Sequence, residues 1–223
     1  MKKRCLRGLV MGIFLFGVAG LASAVNINFT GGTAYLADGS TYIPNNNGGA
    51  WNVDYYVEDG FRVDYIGNVM GGWDAFIGDY YSVQNDVAHG HWATGGFGSL
   101  TSIQVTKVGG GIFSLKDFQL TSNTQWGGMP ASGNELLYIN SSNGFSQLLP
   151  PEDWGLGQGI DPVIMLGSNF SNITSFSFTV ANEVACFGMD NINIVPEPCT
   201  MFLLGIGLMG FAGFRRKLKK RFV

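Results

Sequence analysis

His89-Gly90-His91 holds both histidines of the 223-residue chain. On an extended strand, residues two apart share a face, so the two imidazoles would point to one side. Imidazole nitrogen suits zinc and copper, and such an ion needs a further ligand, for which Asp86 or Asp79 stand upstream. The other reading is a loop, because Gly90, Trp92 and Gly95-Gly96 suggest an irregular segment with its polar side chains in water. Trp51, Trp73, Trp92, Trp126 and Trp154 each lie among Gly, Asn or acidic residues, where a ring can stay exposed and stack on a sugar. A core takes at least half of such rings. Trp92, in a stretch too polar and Gly-rich for a central strand, is the expected glycan contact. Glu152-Asp153 pairs two acids, but adjacency in sequence does not set the separation of about 5–10 Å that glycoside hydrolysis uses. Neither a Gly-x-Ser-x-Gly elbow nor a His-Glu-x-x-His helix is present. No catalytic residue is assigned, and the chain reads as a non-enzyme.

The elements that position these residues are strands. Ser175-Phe176-Ser177-Phe178-Thr179-Val180 alternates polar and apolar, the mark of a strand with one buried face. Similar runs occur at Val25–Phe29, Val53–Val57, Phe61–Ile66, Ile103–Val108, Ile112–Leu115, Asp117–Thr121, Glu135–Ile139, Pro162–Leu166 and Asp190–Val195. Asn45–Gly49, Gly109–Gly111 and Ser141–Gly144 separate them, since Gly and Asn accept the positive φ of tight turns. Many short strands with frequent turns and no amphipathic helix predict an all-β sandwich of antiparallel sheets.

Both ends of the chain read as sorting signals. Lys2, Lys3, Arg4 and Arg7 precede an apolar run from Leu9 to Leu21, and Ala22-Ser23-Ala24 supplies the small residues of a signal-peptidase site, with cleavage before Val25. An uncleaved anchor is the alternative. At the far end Pro196-Glu197-Pro198 forces an extended break. Met201 to Phe214 then runs without a charge, a helix of about 21 Å against a hydrocarbon core of about 30 Å. Six Lys and Arg follow within residues 215–221, and the positive-inside bias holds them in the cytoplasm. The organisation is thus a signal peptide (1–24), a β domain (25–195) and a tail (196–223) whose apolar helix is too short for a comfortable permanent span.

Setting the two signals aside changes the charge. Of 13 Lys and Arg, four lie in the leader and six in the tail, leaving Arg62, Lys107 and Lys116. Of 16 Asp and Glu, Glu197 alone lies outside 25–195, so 15 acids face 3 bases, −12 against −3 for the whole chain. Such a body repels nucleic acid and attracts cations. Of three cysteines only Cys186 belongs to the body, so no disulfide staples it, and its apolar neighbours mark it as a buried thiol.

The tail resembles the PEP-CTERM signal of Gram-negative bacteria: the Pro196-Glu197-Pro198 motif, the Gly-rich apolar helix and the basic cluster occur in order. The resemblance implies recognition and cleavage by an exosortase, release to the cell surface or medium, and association with exopolysaccharide. A plain membrane anchor is the alternative. The ending Asp190-Asn191-Ile192-Asn193-Ile194 resembles the last strand of jelly-roll carbohydrate-binding modules. That likeness implies a jelly-roll sandwich in which an acid here joins one from an early strand to hold a structural calcium, the one cofactor suggested. The candidates are Asp190 and Glu58, with Gly60 bending the Glu58-Asp59-Gly60 loop; the alternative is that these acids solvate turns. A non-catalytic matrix or carbohydrate-binding protein is the favoured function, and a secreted polysaccharide hydrolase the alternative.

Overall fold

The computed structural model describes residues 24–69, 72–79, 84–124, 134–150, 162–182 and 186–196, and Ala24–Val195 forms one compact unit. Residues 1–23 of the signal peptide with Ala22, Trp126, Trp154, Glu152-Asp153, Glu197, Pro198 and the apolar and basic tail lie outside the described residues.

In chain order the strands are β1 (Val25–Ile27), β2 (Thr33–Leu36), β3 (Thr41–Tyr42), β4 (Gly49–Trp51), β5 (Val53–Glu58), β6 (Phe61–Ile66), β7 (Ala75–Asp79) and β8 (Asp86–His91). They continue as β9 (Ser102–Lys107), β10 (Phe113–Thr124), β11 (Leu136–Ser141), β12 (Ser146–Leu149), β13 (Val163–Met165), β14 (Ser175–Asn182) and β15 (Cys186–Pro196). The helical turns among the described residues are the 3-10 turns Ala93–Gly95 and Ser168–Phe170. The strands form two antiparallel sheets. One has the order β12-β11-β14-β9-β6-β5-β2-β3; the other runs β13-β10-β15-β8-β7-β4, with β1 also on β15.

Alternation builds the first sheet. Phe61, Val63 and Tyr65 of β6, Ile103 and Val105 of β9 and Phe176 and Phe178 of β14 are buried, while their neighbours face outward. Their inner side chains meet the second sheet through aromatic contacts: Phe61 with Phe113, Phe118 with Phe178 and Phe178 with Phe187, at ring distances of 5.2, 5.2 and 5.1 Å. This is a β-sandwich with one core. The turn after β5 has Asp59 and Gly60 at φ 48° and 80° between the paired Glu58 and Phe61, a two-residue hairpin loop whose twist suits the strands. The two runs expected at Ile112–Leu115 and Asp117–Thr121 are one strand, β10. Its buried phase slips by a residue at Lys116-Asp117, from Phe113 and Leu115 to Phe118 and Leu120, and that slip reads as a break in the sequence.

The second sheet breaks the alternation rule. All six residues of β8 are buried, as are four of the five in β7. Such strands show no polar face and escape a period-two reading.

Candidate functional site

The stretch around His89-Gly90-His91, for which a strand and a solvated loop were both open, is strand β8, with Trp92 the residue after it. Alternation sends Ala88, Gly90 and Trp92 toward the core and Val87, His89 and His91 to the outer face of the sheet. Trp92 is fully buried, so its ring packs near Phe187 in the core and is not a surface contact for a glycan. Its indole N–H has no hydrogen-bond partner among the described residues. The expectation of exposure failed because Gly90 and Gly95-Gly96 suggest a loop. Gly90 serves a packing purpose, since a Cβ there would lie 2.6 Å from Leu100 Cδ1.

Both imidazoles are buried, His89 completely and His91 to 8 % exposure. They meet edge to face, ring centroids 5.3 Å apart at 87°. Strand β15 lies beside β8 with Cys186 opposite His91 and Gly188 opposite His89. The small glycine leaves room beside His89, and the buried thiol completes the group. The ligand atoms of His89, His91 and Cys186 all lie within 4.8 Å of one another. Among the described residues this is the one cluster of three His, Cys, Asp or Glu side chains so placed. The third ligand expected at Asp86 or Asp79 is therefore replaced by Cys186. Asp86 accepts hydrogen bonds from the Thr30 hydroxyl at 3.0 Å and the Asn46 amide at 2.8 Å, and it pairs with Asp79 at the far end of β8.

An aromatic cover lies over the histidines. Phe97 packs edge-on to His91 at 4.4 Å, Trp51 lies 5.3 Å from the same ring, and Trp73 lies 5.7 Å from Trp51. The chain returns over His91 through the left-handed Gly96 and through Gly98, where a Cβ would collide with the His91 backbone. Asp74 holds this return by accepting from the Ser99 amide and hydroxyl. Burial pushes the His89 imidazole well below its usual range, with His91 a second cause, so the ring is neutral. Burial also lowers His91, opposed by a hydrogen bond from its ring to the Trp73 backbone and by the Asp74 charge. Neutral imidazole is the metal-binding form.

A second polar site gathers where β1 takes over from β8 along the edge of β15. β8 pairs with Cys186 to Met189 and β1 with Ile192 to Ile194, leaving Asp190 and Asn191 at the gap, Asn191 with φ 47°. Asp190 accepts from the Asn85 side chain at 3.0 Å and from the Asn191 amide at 2.6 Å. Glu58 accepts from the Phe29 amide at 3.0 Å and the Tyr56 hydroxyl at 3.1 Å. Phe29-Thr30 and Asn85-Asp86 thus link Glu58, Asp86 and Asp190 in one network. Asp86 Oδ1 is buried without a hydrogen-bond partner among the described residues, and neither Glu58 nor Asp86 has a cationic partner there. Glu58, Asp86 and Asp190 do not converge as a set of three ligand atoms in the way that His89, His91 and Cys186 do. Glu58 lines an open groove of about 490 Å³ with Asp59, Asn26, Asn28 and Thr30. Desolvation lifts the Glu58 carboxyl to about 7, against the opposing hydrogen bonds from Tyr56 and Phe29.

The last strand, β15, runs into Pro196. Residues 195–217 match the family model of the PEP-CTERM protein-sorting motif. The molecule is therefore an exported protein carrying a β-sandwich, and more particularly a substrate processed by an exosortase on the way to the cell surface or extracellular space. No curated protein and no solved structure matches the chain.

Proposed function

We propose that the sandwich is a non-catalytic, jelly-roll-like binding protein that associates with exopolysaccharide or other cell-surface glycan. In this reading signal peptidase removes the leader, the tail inserts transiently in the inner membrane, and the exosortase releases the body. The observation that carries the glycan reading is Trp73, a residue 68 % exposed whose ring sits against Trp51 on the outer face of the second sheet. Phe97, 44 % exposed, extends the same aromatic surface across His91. Sugars present C–H faces to such rings. The test is a glycan-array profile of the exported protein and of Trp73→Ala. Loss of one stacked ring costs about 1–3 kcal/mol, roughly 5- to 150-fold in affinity, and an exposed ring leaves the melting temperature nearly unchanged. A wild type that binds no glycan, or a variant that binds as well as wild type, refutes the reading.

A polysaccharide hydrolase is the second reading, favoured by one feature: Glu58 is a carboxyl lifted toward neutrality in an open groove, as a general acid requires. Assaying the bound glycans for new reducing ends separates the two. Turnover abolished by Glu58→Gln would establish the enzyme.

A further inference from the structure

We propose that His89, His91 and Cys186 form a transition-metal centre that takes a borderline or soft ion of the zinc or copper class through two imidazoles and one thiolate. Nothing in the sorting motif or the glycan reading requires it, and it stands on separate observations. The first is the side-chain geometry: three ligand atoms from two adjacent strands converge within 4.8 Å. Ligands on neighbouring strands of a sheet interior are held more rigidly than ligands on loops. The second is chemical. Two nitrogens and a sulfur suit zinc or copper and do not suit calcium or magnesium, which demand oxygen.

The third observation is the surroundings. His91 uses one ring nitrogen on the Trp73 backbone, the arrangement that fixes the tautomer and orientation of a metal-bound histidine and leaves its other nitrogen for the ion. Phe97 and Trp51 wall the ring off from solvent, and Gly98 lets the return segment close tightly over it. Asp74, engaged by Ser99, holds that segment down and adds negative charge near His91. A dry, aromatic-walled site strengthens metal–thiolate bonding. On binding, the Cys186 thiol releases its proton to solvent as the sulfur–metal bond forms, with no change of oxidation state.

The test uses the full-length chain in detergent with Cys5 and Cys199 replaced by Ser, which leaves Cys186 as the sole thiol of the three. After chelation under reducing conditions it is titrated with cobalt(II). The expected result is one equivalent bound, with the visible bands of a four-coordinate ion and a thiolate-to-cobalt charge-transfer band, both bleached by zinc and unaffected by excess calcium. Zinc-edge X-ray absorption should show one sulfur at about 2.3 Å and two imidazole nitrogens at about 2.0–2.1 Å. Since the chain has two histidines, two imidazoles on the ion means His89 and His91. Cys186→Ser should lose the charge-transfer band while its circular dichroism stays unchanged. If that variant fails to fold, the absorption spectrum of the parent decides. Substoichiometric uptake, an all-oxygen shell, or a charge-transfer band that survives in folded Cys186→Ser overturns the proposal.

Discussion

Replacing Glu58 by Gln should stabilise the protein above neutrality and leave it unchanged at acid pH. The carboxylate is half-buried at the end of β5, and the Phe29 amide and the Tyr56 hydroxyl approach the same oxygen. A Gln carbonyl in that place accepts both bonds and carries no charge. The folded carboxyl titrates near 7 against an ordinary 4.5. Because its folded value is raised, the native state binds more protons than the unfolded state across that window. Stability from this group is therefore greatest below about 4.5 and falls as pH rises to about 7. A displacement of that size corresponds to about 3.4 kcal/mol, which the open side of the groove reduces by solvent screening to about 1–2 kcal/mol. For a domain of this size that is about 2–8 °C in melting temperature. The assay is thermal unfolding of wild type and Glu58→Gln at pH 5 and pH 8, with chelator. The difference between the two proteins cancels Asp86, which burial also raises, and His89 and His91, whose lowered values shape the profile in the opposite sense. Added calcium should stabilise the wild type at pH 8 by holding Glu58 ionised, and should stabilise the Gln variant less. A Gln variant less stable than wild type at pH 8, or equally stable at both pH values, would refute the desolvation reasoning.

Two further outcomes follow from the fold and the tail. Trp92→Ala should cost about 3–5 kcal/mol, read as a lowered denaturant midpoint, because it empties a fully buried indole site; an unchanged midpoint would place the ring at the surface. Intact-mass analysis of secreted protein should show loss of the residues after Phe214, and Glu197→Ala should leave the chain in the inner membrane, since the sorting motif lies at residues 195–217. Secreted protein that keeps its basic end would contradict processing.

The sequence pattern found β5, β6, β9, β11 and β14 in the first sheet and β1, β10, β13 and β15 in the second, and it missed β7 and β8 for one physical reason. Where one face meets water, as in β6, β9 and β14, burial selects alternate residues and the period is visible. Where both faces are covered, as in β7 and β8, composition carries no period, and glycines needed for close packing imitate a loop. Trp92 was misplaced on that account. Cys186 was recognised as buried, but its neighbours along the chain are apolar, and only the pairing of β15 with β8 sets it opposite His91. The clue available in sequence was the alternation of Cys186, Gly188 and Asp190 against Phe187 and Met189. Placing that run beside His89-Gly90-His91 would have assembled the cluster. Glu58 and Asp190 were chosen by likeness to other sandwiches, and nothing in their local sequence signals the network through Phe29, Thr30 and Asn85.

Strand geometry also separates Asp86 from the histidines. Asp86 and His89 are three residues apart on β8, about 10 Å along the strand, and an odd spacing sends them to opposite faces of the sheet. Asp86 at one end of β8 therefore turns to Thr30 and Asn46, while the other end joins nitrogen and sulfur donors beneath Phe97 and Trp51. A hard ion finds no oxygen cage at the histidines, and a soft ion finds no thiolate near Glu58 among the described residues. Calcium and cobalt titrations of one protein should thus report independent events: Glu58→Gln alters the first and spares the cobalt spectrum, and Cys186→Ser does the reverse. Loss of both responses in either single, folded variant would mean that the two ends of β8 form one coupled site, contrary to the spacing that divides them.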